Sequence, residues 1–118
     1  MTVAPYRGIL VIEDEPMLAM DVEASLSAAG FRVIGPVGPT AHALSRLHSQ
    51  RPDLAILDPN LGGEMVFSLF DHLERAGTPF IILSGHSLRM VPERYRNRPF
   101  LQKPYQMPMV LRMVHDVA

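Results

Sequence analysis

The sequence predicts a doubly wound α/β domain, a five-stranded parallel sheet between layers of helices, and three observations carry that prediction. Short apolar runs alternate with segments of helical period. The runs are bounded by Gly, Pro, Asn and Asp, the residues of turns and stops. Polar residues stand at the ends of four of the runs. In order, Ile9 to Ile12 is a strand ending in "EDEP", after which Leu18, Val22 and Leu26 recur every four residues up to Gly30, a helix with a glycine stop. Phe31 to Ile34 is the second strand. "GPVGPT" is a loop whose Thr40 caps a helix through Ala43, Leu44 and Leu47. Asp53 to Asp58 is the third strand, and Val66, Phe67, Phe70 and Leu73 mark a helix that stops at Gly77. "TPFIILS" is the fourth strand and Phe100 to Gln102 the fifth; Met107 to Val117, with Val110, Leu111 and Val114 on one side, is the closing helix. Residues 85 to 98 leave space for only about two helical turns, which brings the helices to about five. Strands alternating with helices in this way form a parallel sheet covered on both faces, a three-layer sandwich.

Composition narrows the function classes. At 118 residues, 47% hydrophobic and 19% charged, the chain fits one domain over residues 1–118, with no room for an output domain. Eleven Lys and Arg against twelve Asp and Glu leave a formal charge of −1, so no global field favours nucleic acid or an anionic membrane. Cysteine is absent, which excludes disulfides and thiolate chemistry. The start, "MTVAPYRG", lacks the apolar stretch of a leader, and no run is long enough to span a membrane, so the expected compartment is the cytoplasm.

Asp14 follows the first strand, Asp58 ends the third, Ser84 ends the fourth and Lys103 ends the fifth. In the flavodoxin-like strand order 2-1-3-4-5 these four strands are neighbours, and their carboxyl ends share one edge at the switch point. Each residue also has an ordinary reading. Glu13, Asp14 and Glu15 before Pro16 suit a helix N-terminus. Asp58 before Pro59 and Asn60 can start a turn through its own side chain. Ser84 before Gly85 is common loop chemistry, and Lys103 before Pro104 is a solvated strand end. Their joint placement is what points to a site.

From "ILVIEDE" through "LAILDPNLGG" and "FIILSG" to "FLQKPY", nearly the whole chain resembles the receiver domains of bacterial two-component response regulators. The resemblance implies that Asp58 accepts a phosphoryl group, with Glu13 and Asp14 as the acidic pair, Ser84 as the hydroxyl residue, Phe100 as the switch aromatic and Lys103 as the lysine that pairs with the phosphoryl group. Ser84 stands where many members have threonine, "NLGG" replaces a more usual Leu-Pro-Gly, and Gly85 and His86 stand where other residues are common. Mg2+, a hard ion that takes oxygen ligands, is the implied cofactor, held by Asp14, Asp58 and the carbonyl of Asn60, with Glu13 acting through water. The implied partner is a histidine kinase or histidine phosphotransfer protein, with a phosphorylation-dependent dimer as a further association. The implied role is regulatory and not that of a dedicated turnover enzyme. "PFIILSG" is also similar to a stand-alone subgroup carrying Pro-Phe-x-Phe-Ala-Thr-Gly, matched at Pro79, Phe80 and Gly85.

Rival classes find less support. There is no G-x-S-x-G elbow for a hydrolase built on Ser84 and His86, and neither "GPVGPT" nor "LGG" matches a nucleotide fingerprint. His42, His48, His72, His86 and His115 show no metal spacing, and Met109 and Met113, one turn apart, read as core. The rival within the same fold is a receiver-like docking module that is not phosphorylated. Residues 85 to 98 are expected to be the least ordered part of the domain, because Pro92 interrupts them and apolar anchors are sparse among Arg89, Arg94, Arg96 and Arg98.

Overall fold

The computed structural model describes residues 8–117, so the expectation that the first seven residues carry no leader lies outside the described residues. The main sheet is built from β1 (Ile9–Ile12), β2 (Val33–Val37), β3 (Leu54–Leu57), β6 (Phe80–Ser84) and β7 (Phe100–Gln102), all parallel, in the order β2-β1-β3-β6-β7. That is the expected 2-1-3-4-5 pattern. The helices are α1 (Pro16–Ala28), α2 (Ala41–Gln50), α3 (Ser68–Arg75) and α4 (Met107–Val117). No described helix is long and apolar enough to cross a membrane.

Every residue of β1, β3 and β6 is buried, as strands covered on both faces must be. Their side chains alternate between two cores. Leu10, Ile12, Ala55, Leu57, Phe80 and Ile82 join Leu47, Leu69, Phe70 and Leu73 under α2 and α3. Ile9, Val11, Leu54, Ile56, Ile81 and Leu83 join Val22, Leu26, Val110 and Val114 under α1 and α4. The period of two is the ordinary pleat of a strand.

Three elements depart from the sequence expectation. The second strand begins at Val33 and runs on through Pro36 to Val37, where a loop was expected. β2 lies at the edge of the sheet, the place where a strand tolerates proline, and its register with β1 shifts between Leu10 and Ile12. Second, a small antiparallel hairpin, β4 (Asn60–Leu61) with β5 (Glu64–Met65), precedes α3, which starts at Ser68 instead of Val66. Its turn residues Gly62 and Gly63 have φ of 56° and 93°, values that favour glycine.

Third, the expected short helix in 85–98 is replaced by two 3-10 turns, Leu88–Met90 and Glu93–Tyr95. Pro92 lacks the N–H that a continuing helix needs and holds Val91 extended. The expected shortage of buried anchors is also corrected, since Val91 and Tyr95 are both buried. Tyr95 meets Phe70 and Phe80 edge-on, with centroids at 5.2 and 6.0 Å. The Tyr95 hydroxyl donates to Asp71 of α3, which also pairs with Arg94, and Arg98 reaches Glu74 at 2.9 Å. Arg96 folds back to the carbonyls of Val91 and Arg89. Arg94 and Arg98 thus fasten the segment to α3, and Arg96 fastens it to itself.

Candidate functional site

Backbone pairing brings the carboxyl ends of the strands to one edge. The amide of Glu13 donates to the Val37 carbonyl at 2.8 Å, that of Asp58 to the Ile12 carbonyl at 2.9 Å, and that of Lys103 to the Ser84 carbonyl at 2.7 Å. Glu13, Asp58 and Lys103 are thus carried by the sheet itself. The Lys103–Pro104 peptide is cis.

The side chains meet around one cation. Lys103 Nζ lies 2.6 Å from Asp58 Oδ2, 3.0 Å from Glu13 Oε1 and 3.8 Å from Glu15 Oε2. Asp58 Oδ1 accepts the Asn60 amide at 2.9 Å, the turn-forming bond expected of it, while Oδ2 faces Lys103. Glu13 Oε2 accepts the amide of Glu15 at 3.1 Å, while its Oε1 meets Lys103 as an ion pair without a well-directed hydrogen bond. Asp58 is only 3% exposed and Glu13 only 8%. Beside them a cavity of about 150 Å³ is lined by Glu13, Asp14, Glu15, Asp58, Asn60, Gly62, Gly63 and Lys103.

Five of the seven residues singled out in the sequence therefore line one cavity. Ser84 and Phe100 do not. Ser84 is buried and its hydroxyl accepts the amide of His86 at 3.0 Å, and Phe100 is half-buried against the core beneath α2 and α3. Sequence reading passed over Glu15 as a partner of Lys103, and the glycine turn of the hairpin. A Gly-Gly pair between "NL" and "EM" is a hairpin signal and could have located the turn. A larger hollow, about 550 Å³ between the ends of α2 and α3 around Arg51, Asp53 and Gly77, gathers a single carboxylate, and its size brings no comparable chemistry.

Electrostatics follow from crowding. Burial pushes the Glu13 carboxyl above its ordinary 4.5, and the charge of Asp58 adds to this against the opposing pull of the Glu15 amide and Lys103. Burial works against the charge of Lys103, yet the hydrogen bond it donates to Asp58 and the attraction of Asp58 and Glu13 hold it above the usual lysine value. Burial raises the Tyr105 phenol strongly, and its hydroxyl has no partner among the described residues.

A raised carboxyl binds its proton more tightly folded than unfolded. Glu13 therefore contributes fully below 4.5 and progressively less as the pH rises through its folded value. Asp71 runs the other way, because its hydrogen bond from Tyr95 and its pairing with Arg94 hold it below 3.8, and its contribution fades only under that value. In EDTA the melting temperature should therefore climb as the pH falls from neutrality toward 4.5, and Glu13→Gln should flatten that climb. An identical profile in the variant would refute the assignment.

The donor set suits a hard cation in kind, with Asp14, Asp58 and the carbonyl of Asn60 supplying oxygens. Asp14 makes no hydrogen bond or ion pair among the described residues, so its carboxylate is free to accept one. Among the described residues, no three His, Cys, Asp or Glu side chains come close enough together to hold a metal ion by themselves.

A family model for the response regulator receiver domain matches residues 9–115. The chain belongs to that family. Receiver domains are regulatory modules of two-component signalling, and they characteristically bind Mg2+ in an acidic pocket at this edge of the sheet. The phyllosphere-induced regulator PhyR of Methylorubrum extorquens is 33% identical over 102 residues, 83% of this chain and 38% of PhyR. The chain thus spans well under half of that relative's length. The solution structure of SdrG from Sphingomonas melonis Fr1 is 37% identical with a TM-score of 0.82, covering 96% of this chain and 97% of SdrG. The BeF3-activated conformation of SdrG from Pseudomonas melonis Fr1 is 36% identical with a TM-score of 0.75, covering 94% and 95%.

Proposed function

We propose that this receiver takes a phosphoryl group onto Asp58 from a histidine kinase or histidine phosphotransfer protein, with Mg2+ as cofactor, and changes its surface for a partner. The observation that carries the reading is the buried Asp58 carboxylate at the end of β3, paired with Lys103 and opening on a cavity lined by further acids. In this reading an Asp58 oxygen attacks phosphorus, a new O–P bond forms, and the bond from phosphorus to the donor histidine nitrogen breaks. Lys103 pairs with the charge on the phosphoryl oxygens, and the Asn60 amide fixes the attacking carboxylate. Asp14, Asp58 and the Asn60 carbonyl would hold the metal, with Glu13 acting through water, and the bound ion would supply positive charge beside the phosphoryl oxygens.

Ser84 and Phe100 are the proposed switch. The Ser84 hydroxyl exchanges its bond from the His86 amide for one to a phosphoryl oxygen, and Phe100, half-buried at the rim of the core, turns into the space behind it. NMR of the apo and beryllofluoride-bound forms tests this, and an unchanged Phe100 rotamer in a form shown to bind beryllofluoride would rule the switch out. For the transfer itself, the protein is incubated with Mg2+ and acetyl phosphate and weighed intact. A gain of one phosphoryl group is expected. No gain, with Mg2+ bound, would favour the docking module that keeps the fold without the chemistry.

A further inference from the structure

We infer that Gly38, just past the end of β2, is a positioning residue that sets the Asp14 carboxylate and with it the fit of the site to Mg2+; this rests on the metal reading above. Asp14 is the one acid of the cavity that no hydrogen bond or ion pair orients among the described residues, whereas Glu13 and Asp58 are each held by Lys103 and a backbone amide. What lies against Asp14 is Gly38. A Cβ at that position would stand 3.0 Å from Asp14 Oδ1, tighter than nearly all ordinary contacts of such an atom. Gly38 does not have the left-handed φ that explains most glycines, so its backbone would admit a side chain, and the space for Asp14 is what the missing Cβ provides.

The backbone there cannot retreat. On one side the Val37 carbonyl is bound by the Glu13 amide at 2.8 Å, and on the other the Gly38 carbonyl accepts the Thr40 amide at 2.8 Å beside the cap of α2. Asp14 is exposed and unbonded, so an added methyl group displaces Asp14 by a few tenths of an ångström. Such a shift matters for Mg2+, which demands near-ideal octahedral geometry at about 2.0–2.1 Å, and matters less for Ca2+, which accepts flexible geometry at about 2.3–2.6 Å.

The test is calorimetric titration of the unphosphorylated, full chain with MgCl2 and with CaCl2. Gly38→Ala should weaken Mg2+ roughly tenfold, the lower end of what losing a ligand-orienting neighbour costs, and should weaken Ca2+ clearly less. A merely structural defect would lower both alike. In EDTA, any stability lost by Gly38→Ala should largely vanish in an Asp14→Ala background, where the oxygen that the new methyl group meets is gone. Unchanged Mg2+ affinity in Gly38→Ala, equal losses for the two ions, or an equal stability change in both backgrounds would overturn the inference while leaving the phosphoacceptor reading intact. Failure of the wild type to bind Mg2+ would overturn both.

Discussion

Asp58→Asn is expected to abolish the mass gain from acetyl phosphate and Mg2+ while leaving the fold intact. Asparagine keeps the shape and the carbonyl oxygen that accepts the Asn60 amide, so the turn after β3 survives. It removes the nucleophilic oxygen, the one chemical feature for which no neighbour substitutes. Asp14 is exposed and lacks the lysine partner, and Glu13 has both oxygens engaged, so neither is placed to take over. Beyond lost reactivity, removing the Asp58 charge takes away a repulsion that pushes Glu13 upward, and the pH dependence of stability in EDTA should weaken. Intact mass and peptide mapping read the modification, and circular dichroism reads the fold. Phosphorylation of the folded asparagine variant on any other aspartate would defeat the assignment of Asp58.

Lys103→Ala should produce the largest loss of stability among the site variants. The lysine ammonium sits between two carboxylates whose side chains are 4% and 6% exposed, and is itself only 19% exposed. Removing one partner of a buried pair strands the others, at a cost of roughly 3 kcal/mol, the low end for such deletions because Lys103 keeps some contact with water. The loss should be greatest in EDTA at neutral pH, where both acids must carry charge without a cation. It should shrink in saturating Mg2+ and at lower pH. Mg2+ should still bind, and more tightly than to the wild type, as that relief requires, whereas the phosphorylated or beryllofluoride-bound variant should fail to reach the activated conformation. Urea unfolding with and without Mg2+ provides the measurement, and equal destabilisation in the two conditions would show that packing of the lysine stem, and not its charge, is what was lost.

The strand order and the placement of Glu13, Asp14, Asp58, Asn60 and Lys103 were legible because the information is local and repeated. Each buried strand is an unbroken apolar run, and each polar residue comes at its carboxyl end. Three features were not legible, for distinct reasons. Pro36 reads as a breaker, and only its position at a sheet edge, a tertiary fact, makes it a strand residue. Arg94, Arg96 and Arg98 read only as residues between sparse apolar anchors, because their partners Asp71, Val91 and Glu74 are brought to them by folding. Gly38 reads as one more loop glycine, since what distinguishes it is the carboxylate lying against it across the chain.

The manner in which Lys103 is held has a mechanical consequence. Its strand, β7, is three residues long, lies at the sheet edge and is paired on one side alone, through Ile82–Phe100, Leu83–Leu101 and Ser84–Gln102. Val110 and Val114 hold α4 against β1, β3 and β6, and past that packing a load on α4 enters the sheet through Pro104 and Lys103. Peeling would begin at the Lys103–Ser84 bond, drawing the cation away from Asp58 while β1, β3 and β6 stay zipped. Once α4 is lifted from its packing, the bond that carries the cation is the first of the sheet's to part, and Asp58 loses its lysine while the interior strands are still paired.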